Sequence, residues 1–317
     1  MMNSTTDEGS REVLENEIAD LELRLRRAKE RLAKSETATI SPSPSAQSAH
    51  HYLLLLSDSA LPLGSFAFSS GLESYLAHTR RARASSSYSS SSLSSSSSSS
   101  FSSFLPLSLS SYASSTLPFA LAAHRDPQPD NVAALDDALD AAIVCTVGRR
   151  ASVAQGRALL SIWEKSVAAT ADPGARLRPF AEMLRSSSFS SSSFNHNSAN
   201  GSGSGKGSRT DGPPLVSAHL APLFGAVAAL CGLSLRQTAY VFMLSHVKAL
   251  VSAAVRAGQF GPYQAQRILA SAEVQAYLEA AIEREWRTPI ERAGQSVPVM
   301  DLWVGRHELL YSRIFNS

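Results

Sequence analysis

Glu73, His219, His246 and His307 are the side chains of this chain best suited by type to hold a metal ion or move a proton. Three of them converging around an open coordination position would make a small all-helical metalloenzyme, because a catalytic metal needs several protein ligands and one exchangeable site. Their spacing gives no support for that alternative. His307-Glu308 begins like a zinc-protease helix, but Tyr311 stands where the second histidine is required. His78 and His124 add no ligand interval, and a lone histidine on a helix face usually serves structure. His50 and His51 adjoin the end of a Ser/Pro stretch and read as solvated loop residues. GSGSGKGS at 201–208 imitates a phosphate loop, yet Asn200 replaces its first glycine and Gly207 its Ser/Thr, so it reads as linker. Without a nucleophile, an acid–base pair or a metal set at a telling interval, the expectation is a protein that is not an enzyme.

The elements that position these residues centre on Leu53–Leu76, LLLLSDSALPLGSFAFSSGLESYL. Leu53–Leu56 reads as the end of a short helix. Pro62 fixes its own φ and Gly64 admits a positive one, so the chain turns there. Phe66, Phe68, Leu72, Tyr75 and Leu76 then follow at roughly helical intervals, with Gly71 as a flat spot for a neighbouring backbone. By residue type alone this is a helix–turn–helix corner with aromatics in the core and Glu73 in solvent.

Further helical patterns fill most of the chain. From Asn131 to Leu160, Leu135, Leu139, Ala142, Ile143 and Val147 form one face and Asp136, Asp137 and Asp140 another, followed by Arg149, Arg150 and Arg157. Gly156 inside that pattern implies a packing reason, and Asp172-Pro173-Gly174 ends it. His219–Leu230 is an apolar helix containing Gly225. Ser234 caps a long helix that lasts to Gly258, and Pro262 opens another that runs toward Trp286. No stretch alternates as a strand does, so the fold class is all-α, a single domain of packed helices.

Two tracts interrupt it. Ser85–Ser115 and Ser186–Gly212 are so rich in Ser, Asn and Gly that composition reads both as disordered insertions. Residues 11–34 carry a heptad stripe, either a short coiled coil or one amphipathic helix, joined by the linker SPSPSAQSAHH. The expected organisation is an N-terminal arm over 1–49 and a helical domain over 50–317, interrupted at 85–115 and 186–212.

The formal net charge is only +2 over 317 residues. That offers no basic face for nucleic acid. The two cysteines, Cys145 and Cys231, lack paired spacing and read as buried thiols in a reducing compartment. The acidic N-terminus lacks the apolar core of a signal peptide, and the apolar run at Leu223–Leu230 is too short to span a bilayer; the expected location is the cytoplasm. The C-terminal residues offer something else. Arg306, His307, Tyr311, Arg313, Ile314 and Phe315 combine arginine with aromatic and aliphatic groups, the types that carry binding energy at interfaces. They either dock a partner or pack on their own domain.

The motif LPLGSFAFSSGLES resembles the signature of the UreF family of urease accessory proteins, a Pro-x-Gly-[Gly/Ser]-Phe turn followed by Ser-x-Gly-Leu-Glu. Gly225 with LVSAAVRAGQFGP at 250–262 is similar to the central helix of that family, RRASVAQGRALL to its Arg-rich helix, and HELLYSRIFNS at 307–317 to its tail. The resemblance implies a helical homodimer that joins UreD (UreH) and the GTPase UreG to deliver nickel to apo-urease and that modulates the GTPase. It implies no stably bound cofactor, with nickel as cargo in transit. It assigns the six tail residues to partner binding, and Pro62, Gly64, Phe66, Phe68, Gly71, Glu73 and Arg256 to the core or edge of the dimer. The serine tract departs from the pattern, because the family joins its helices briefly at that point.

Overall fold

The structure is a computed structural model that describes residues 44–85, 93–172, 174–193 and 216–316. The chain separates into two units, Met1–Ser48 and Ala49–Ser317. In the first, the described residues 44–48 are helical and begin α1; apart from them, everything below concerns the second. The heptad stripe at 11–34 and the GSGSGKGS segment lie outside the described residues.

All regular elements among the described residues are helical: α1 (Pro44–Ser57), α2 (Leu72–Ser85), α3 (Leu93–Arg125), α4 (Pro129–Ala142), α5 (Thr146–Ile162), α6 (Arg178–Ser193), α7 (Leu220–Leu230), α8 (Leu235–Arg256), α9 (Pro262–Leu269), α10 (Ala272–Glu285) and α11 (Val299–Arg306). Short turns of other helix types follow α5 and precede α2, two more flank α11, and a single α-helical turn, Ala168–Ala171, lies between α5 and α6. The fold is therefore all-α.

Its centre is α3, which packs on α4, α7, α8 and α10. This corrects the reading of 85–115 as a disordered insertion: residues 93–115 belong to a core helix. Phe101, Phe104, Leu105, Leu109, Ala113 and Leu117 fall at i, i+3, i+4, i+8, i+12 and i+16 along the helix, and none is more than 4% exposed. The serines between them are small enough for close packing and find partners both within the helix and across the fold. Ser115 donates to the Ser111 carbonyl at 2.7 Å, and Ser114 to Ser296 at 2.8 Å. Pro118 lies within α3 and has no N–H for the Ser114 carbonyl, which instead accepts from Gly294 at 3.0 Å.

On α7, Gly225 lets two backbones meet. A Cβ there would stand 2.0 Å from the Ala120 carbonyl oxygen of α3. Gly156 does the same for α5, where a Cβ would stand 2.0 Å from the Ala218 carbonyl oxygen in the segment that leads into α7. That segment is held by Asp136, which is fully buried and not on a solvated face as the sequence pattern implies. Its carboxylate accepts the backbone N–H groups of Ser217, Ala218 and His219 at 2.6, 3.1 and 2.6 Å. Asp136→Ala would leave those donors buried without an acceptor, so chemical denaturation should show a loss of about 3 kcal/mol or more.

Other boundaries also differ. The pattern over 131–160 is two helices, because the Arg149 guanidinium takes the Asp140 and Ile143 carbonyls at 2.7 and 2.9 Å and so closes α4 before α5 begins. The run toward Trp286 is likewise split. Ser271 accepts the Val274 N–H at 3.2 Å and starts α10 afresh. Residues 44–51, read as linker, form most of α1, so His50 and His51 stand on a helix. Residues 186–193 of the second expected insertion continue α6, and 194–212 lie outside the described residues. Ser234 caps α8 reciprocally with Gln237. By length and composition α8 could cross a bilayer, with a mean hydropathy of 1.4 over its most apolar stretch, but 61% of that stretch is buried inside the protein.

Candidate functional site

The site is assembled where the corner at residues 61–73 meets the C-terminal tail. After α1 the chain turns through Pro62, which is exposed, and Gly64, whose φ is 72°. Phe66 is 65% exposed, a correction to its reading as core, while Phe68 is half-buried. The expected continuous helical spacing breaks at Ser70 and Gly71, with φ of 49° and 85°. Gly71 is needed there for space as well. A Cβ would come within 3.0 Å of the Val304 nitrogen and 3.2 Å of the Trp303 backbone, so α2 and α11 touch through bare main chain. Trp303 then meets Tyr75 edge to face at 5.4 Å and His78 at 5.6 Å.

Glu73, read from sequence as solvated, is instead the anchor of the tail. Its side chain is 11% exposed in the first turn of α2, where the helix dipole favours a negative charge. Oε1 accepts the Ile314 N–H at 2.7 Å; Oε2 accepts the Phe315 N–H at 3.2 Å and pairs with His307 Nε2 at 2.9 Å. Beside it, Asn316 donates to the Ala67 carbonyl at 2.8 Å. Arg256 reaches from α8 to the Phe66 carbonyl and lies 4.4 Å above the Phe315 ring. Burial draws the Arg256 pKa below its ordinary value.

A second clamp sits outside the first. Glu308 pairs with Arg150 of α5 and with Arg313 at 2.8 Å, and Arg150 also approaches the Asn316 carbonyl at 3.4 Å. Arg150, then Arg313, hold the Glu308 carboxyl below the usual carboxylate range. A depressed folded-state pKa means that this contribution is complete above the ordinary carboxylate pKa and is lost as pH falls through the depressed one. The Ile314 methyl resonances should therefore report a loosening of the tail in acid that is smaller in Glu308→Gln, which has already lost this clamp and keeps only the Glu73 anchor.

The expected site residues thus divide by direction. His307 and Phe315 face inward, 0% and 4% exposed. Tyr311 and Ile314 face outward with Leu309 and Phe66, and Arg306 and Arg313 are exposed beside them. The tail packs on its own domain and still offers an apolar outer surface. The other two histidines go elsewhere. His219 pairs with Ser152 and Asp140, both at 3.0 Å. His246 bonds Ser108 and stacks on Tyr112 at 3.9 Å, and burial pushes its pKa down to about 3, so it is neutral at physiological pH. Of the four groups weighed for a metal site, only Glu73 and His307 meet, and among the described residues no three His, Cys, Asp or Glu groups cluster in a way that could hold an ion.

A cleft of about 160 Å³ lies behind α11, lined among others by Tyr112, Cys145, Ser152, His246, Gln295 and Asp301. Cys145 is partly exposed there at the start of α5, not buried as expected; Cys231 is buried, which pushes its thiol up to about 12. Sequence reasoning named Arg150, Glu308 and Asp136 but gave none of them these contacts, and it passed over this cleft. Glu308 and Arg313 stand five residues apart and could have been paired, but nothing local links either to Arg150.

The UreF family profile matches residues 96–273, a span that includes the serine-rich part of α3. A urease accessory protein UreF-like chain of Schizosaccharomyces pombe is 32% identical over 275 residues, 86% of this chain and 99% of its own length. Urease accessory protein F of Arabidopsis thaliana is 28% identical, covering 83% of this chain and 90% of the relative. Urease accessory protein F of Oryza sativa is 27% identical, covering 82% of each. With the profile spanning more than half of the sequence and a relative of this similarity aligned nearly end to end, the chain belongs to the UreF family of urease accessory proteins.

Proposed function

We propose that the chain is an assembly factor that joins a UreD/UreH-like protein and a UreG-like GTPase in a complex delivering nickel to apo-urease. It does so as a cytoplasmic homodimer without catalysis of its own. Nickel is cargo of the complex and is not stably held by this chain; the GTPase is modulated by contact. The observation that carries this reading is the tail, fixed by Glu73 and Arg256 from within while Tyr311, Ile314 and Phe66 stay exposed. Burying such apolar groups beside arginines is what gives an interface its affinity. Arg306, Tyr311, Arg313 and Ile314 meet the partner; His307 and Phe315 support them from below. Pro62, Gly64, Phe68, Gly71 and Glu73 shape the corner, which with Phe66 and Arg256 lies at the edge of the dimer contact.

Co-purification tests this directly. The chain, tagged at its N-terminus, is expressed with the UreD-like and UreG-like proteins of the same cell and passed through size exclusion with GTP and nickel. The expected result is a stable complex that activates apo-urease. A chain that elutes alone, with no effect on urease, would overturn the reading.

A further inference from the structure

We infer that the outward face of corner and tail is built for a protein segment that carries carboxylates around a large apolar side chain; this rests on the partner-binding reading above and adds the chemistry of what binds. Among the described residues, Arg150, Arg256 and Arg313 touch the corner or the tail and Arg306, next to His307 in the chain, lies on Trp303 of α11, against two carboxylates, Glu73 and Glu308. Both carboxylates are already engaged. Glu73 is spent on His307 and two tail amides, and Glu308 on Arg150 and Arg313. Arg256 and Arg306 rest instead on aromatic rings, Arg256 on Phe315 at 4.4 Å and Phe66 at 6.0 Å, Arg306 on Trp303 at 5.8 Å. A guanidinium laid on a ring keeps its charge and can still offer the edge of its donor fork to a carboxylate; for Arg256 this means the donors other than the one given to the Phe66 carbonyl.

Between these cations stand the apolar groups that remain in water: Phe66, Leu309, Tyr311 and Ile314. The chain as a whole is close to neutral at +2, so the excess here is local. Two unneutralised arginines around an apolar patch match an aliphatic or aromatic anchor flanked by Asp or Glu. They are too few to hold a nucleic acid, whose affinity comes from many neutralised phosphates. A second copy of the whole face is also a poor occupant, since a twofold contact centred on it would set arginine against arginine; the dimer contact proposed above reaches only its Phe66–Arg256 edge.

Arg306 makes the cleanest probe, because its side chain rests on Trp303 and belongs to neither tail clamp. Association of the full chain with the UreD-like protein is followed at low and at raised salt. Arg306→Glu should slow association about tenfold and flatten its salt dependence, while Arg306→Lys, which keeps the charge, should keep the wild-type rate. Equal rates for wild type and Arg306→Glu, with the complex still forming, would overturn this inference and leave the partner reading intact. A wild-type chain that binds nothing would overturn both. If Arg306→Glu instead breaks self-association and spares the partner complex, the face belongs to a second copy and the inference is wrong.

Discussion

Glu73→Ala should detach the C-terminal tail and abolish partner binding while leaving the helical content unchanged. The carboxylate accepts three donors, and one of them, His307, is fully buried. Its other ring nitrogen, Nδ1, has no hydrogen-bond partner, so removing Glu73 strips the imidazole of its one bond. Leaving a buried ring N–H and the two tail amides without their acceptor costs about 1–3 kcal/mol for each donor that stays out of water, more than the remaining contacts of a short terminus are expected to supply. Phe315 would then leave its place under Arg256, and the backbone that presents Tyr311 and Ile314 would lose its fixed course. Glu73→Gln should restore little. Oε2 serves both His307 and Phe315 while Oε1 serves Ile314, so an amide, with one acceptor oxygen, cannot replace both. Limited proteolysis should cut the C-terminus of the alanine variant much faster than that of wild type, with circular dichroism unaltered. A tail equally resistant in both would show that Phe315 and the Glu308 clamp suffice.

The second large effect concerns the core. In Gly225→Ala the added methyl group would lie 2.0 Å from the Ala120 carbonyl oxygen, a backbone atom in the C-terminal part of α3 that has no side-chain freedom with which to yield. Alanine favours a helix over glycine by about 1 kcal/mol, but separating α3 and α7 unpacks the contacts of both, and a net loss of about 3 kcal/mol is expected. Gly225→Val should fail to reach a folded state. Gly261→Ala is the control. It faces open space at a φ of −82°, so it should leave the denaturation midpoint nearly unchanged.

How far these features could be read from sequence depends on the range of the interactions that make them. Ser234 as the cap of α8, Pro262 at the first position of α9, and the turn at Pro62 and Gly64 are local, and the sequence states them. The close approach at Gly71 also follows from residue type. What defeated reading was composition averaged over a window. Serine-rich α3 looks unfoldable as a tract, yet its sparse Phe and Leu keep a helical period, and that period, not the serine count, decides burial. Long-range polar chemistry was invisible for a different reason. Glu73 and Asp136 look like solvated acids because their donors, the amides of 314–315 and 217–219, lie far along the chain. The site was legible as two pieces, a corner and a tail. Their union through one carboxylate was not.

The most direct test of the account is hydrogen exchange on the full chain, alone and mixed with the UreD-like protein. Alone, the Ile314 and Phe315 amides should already be protected by Glu73; with the partner present, exchange across residues 309–316 and 65–68 should slow further. A complex that forms with protection elsewhere, and none added at these two segments, would contradict the claim that corner and tail together make the docking surface.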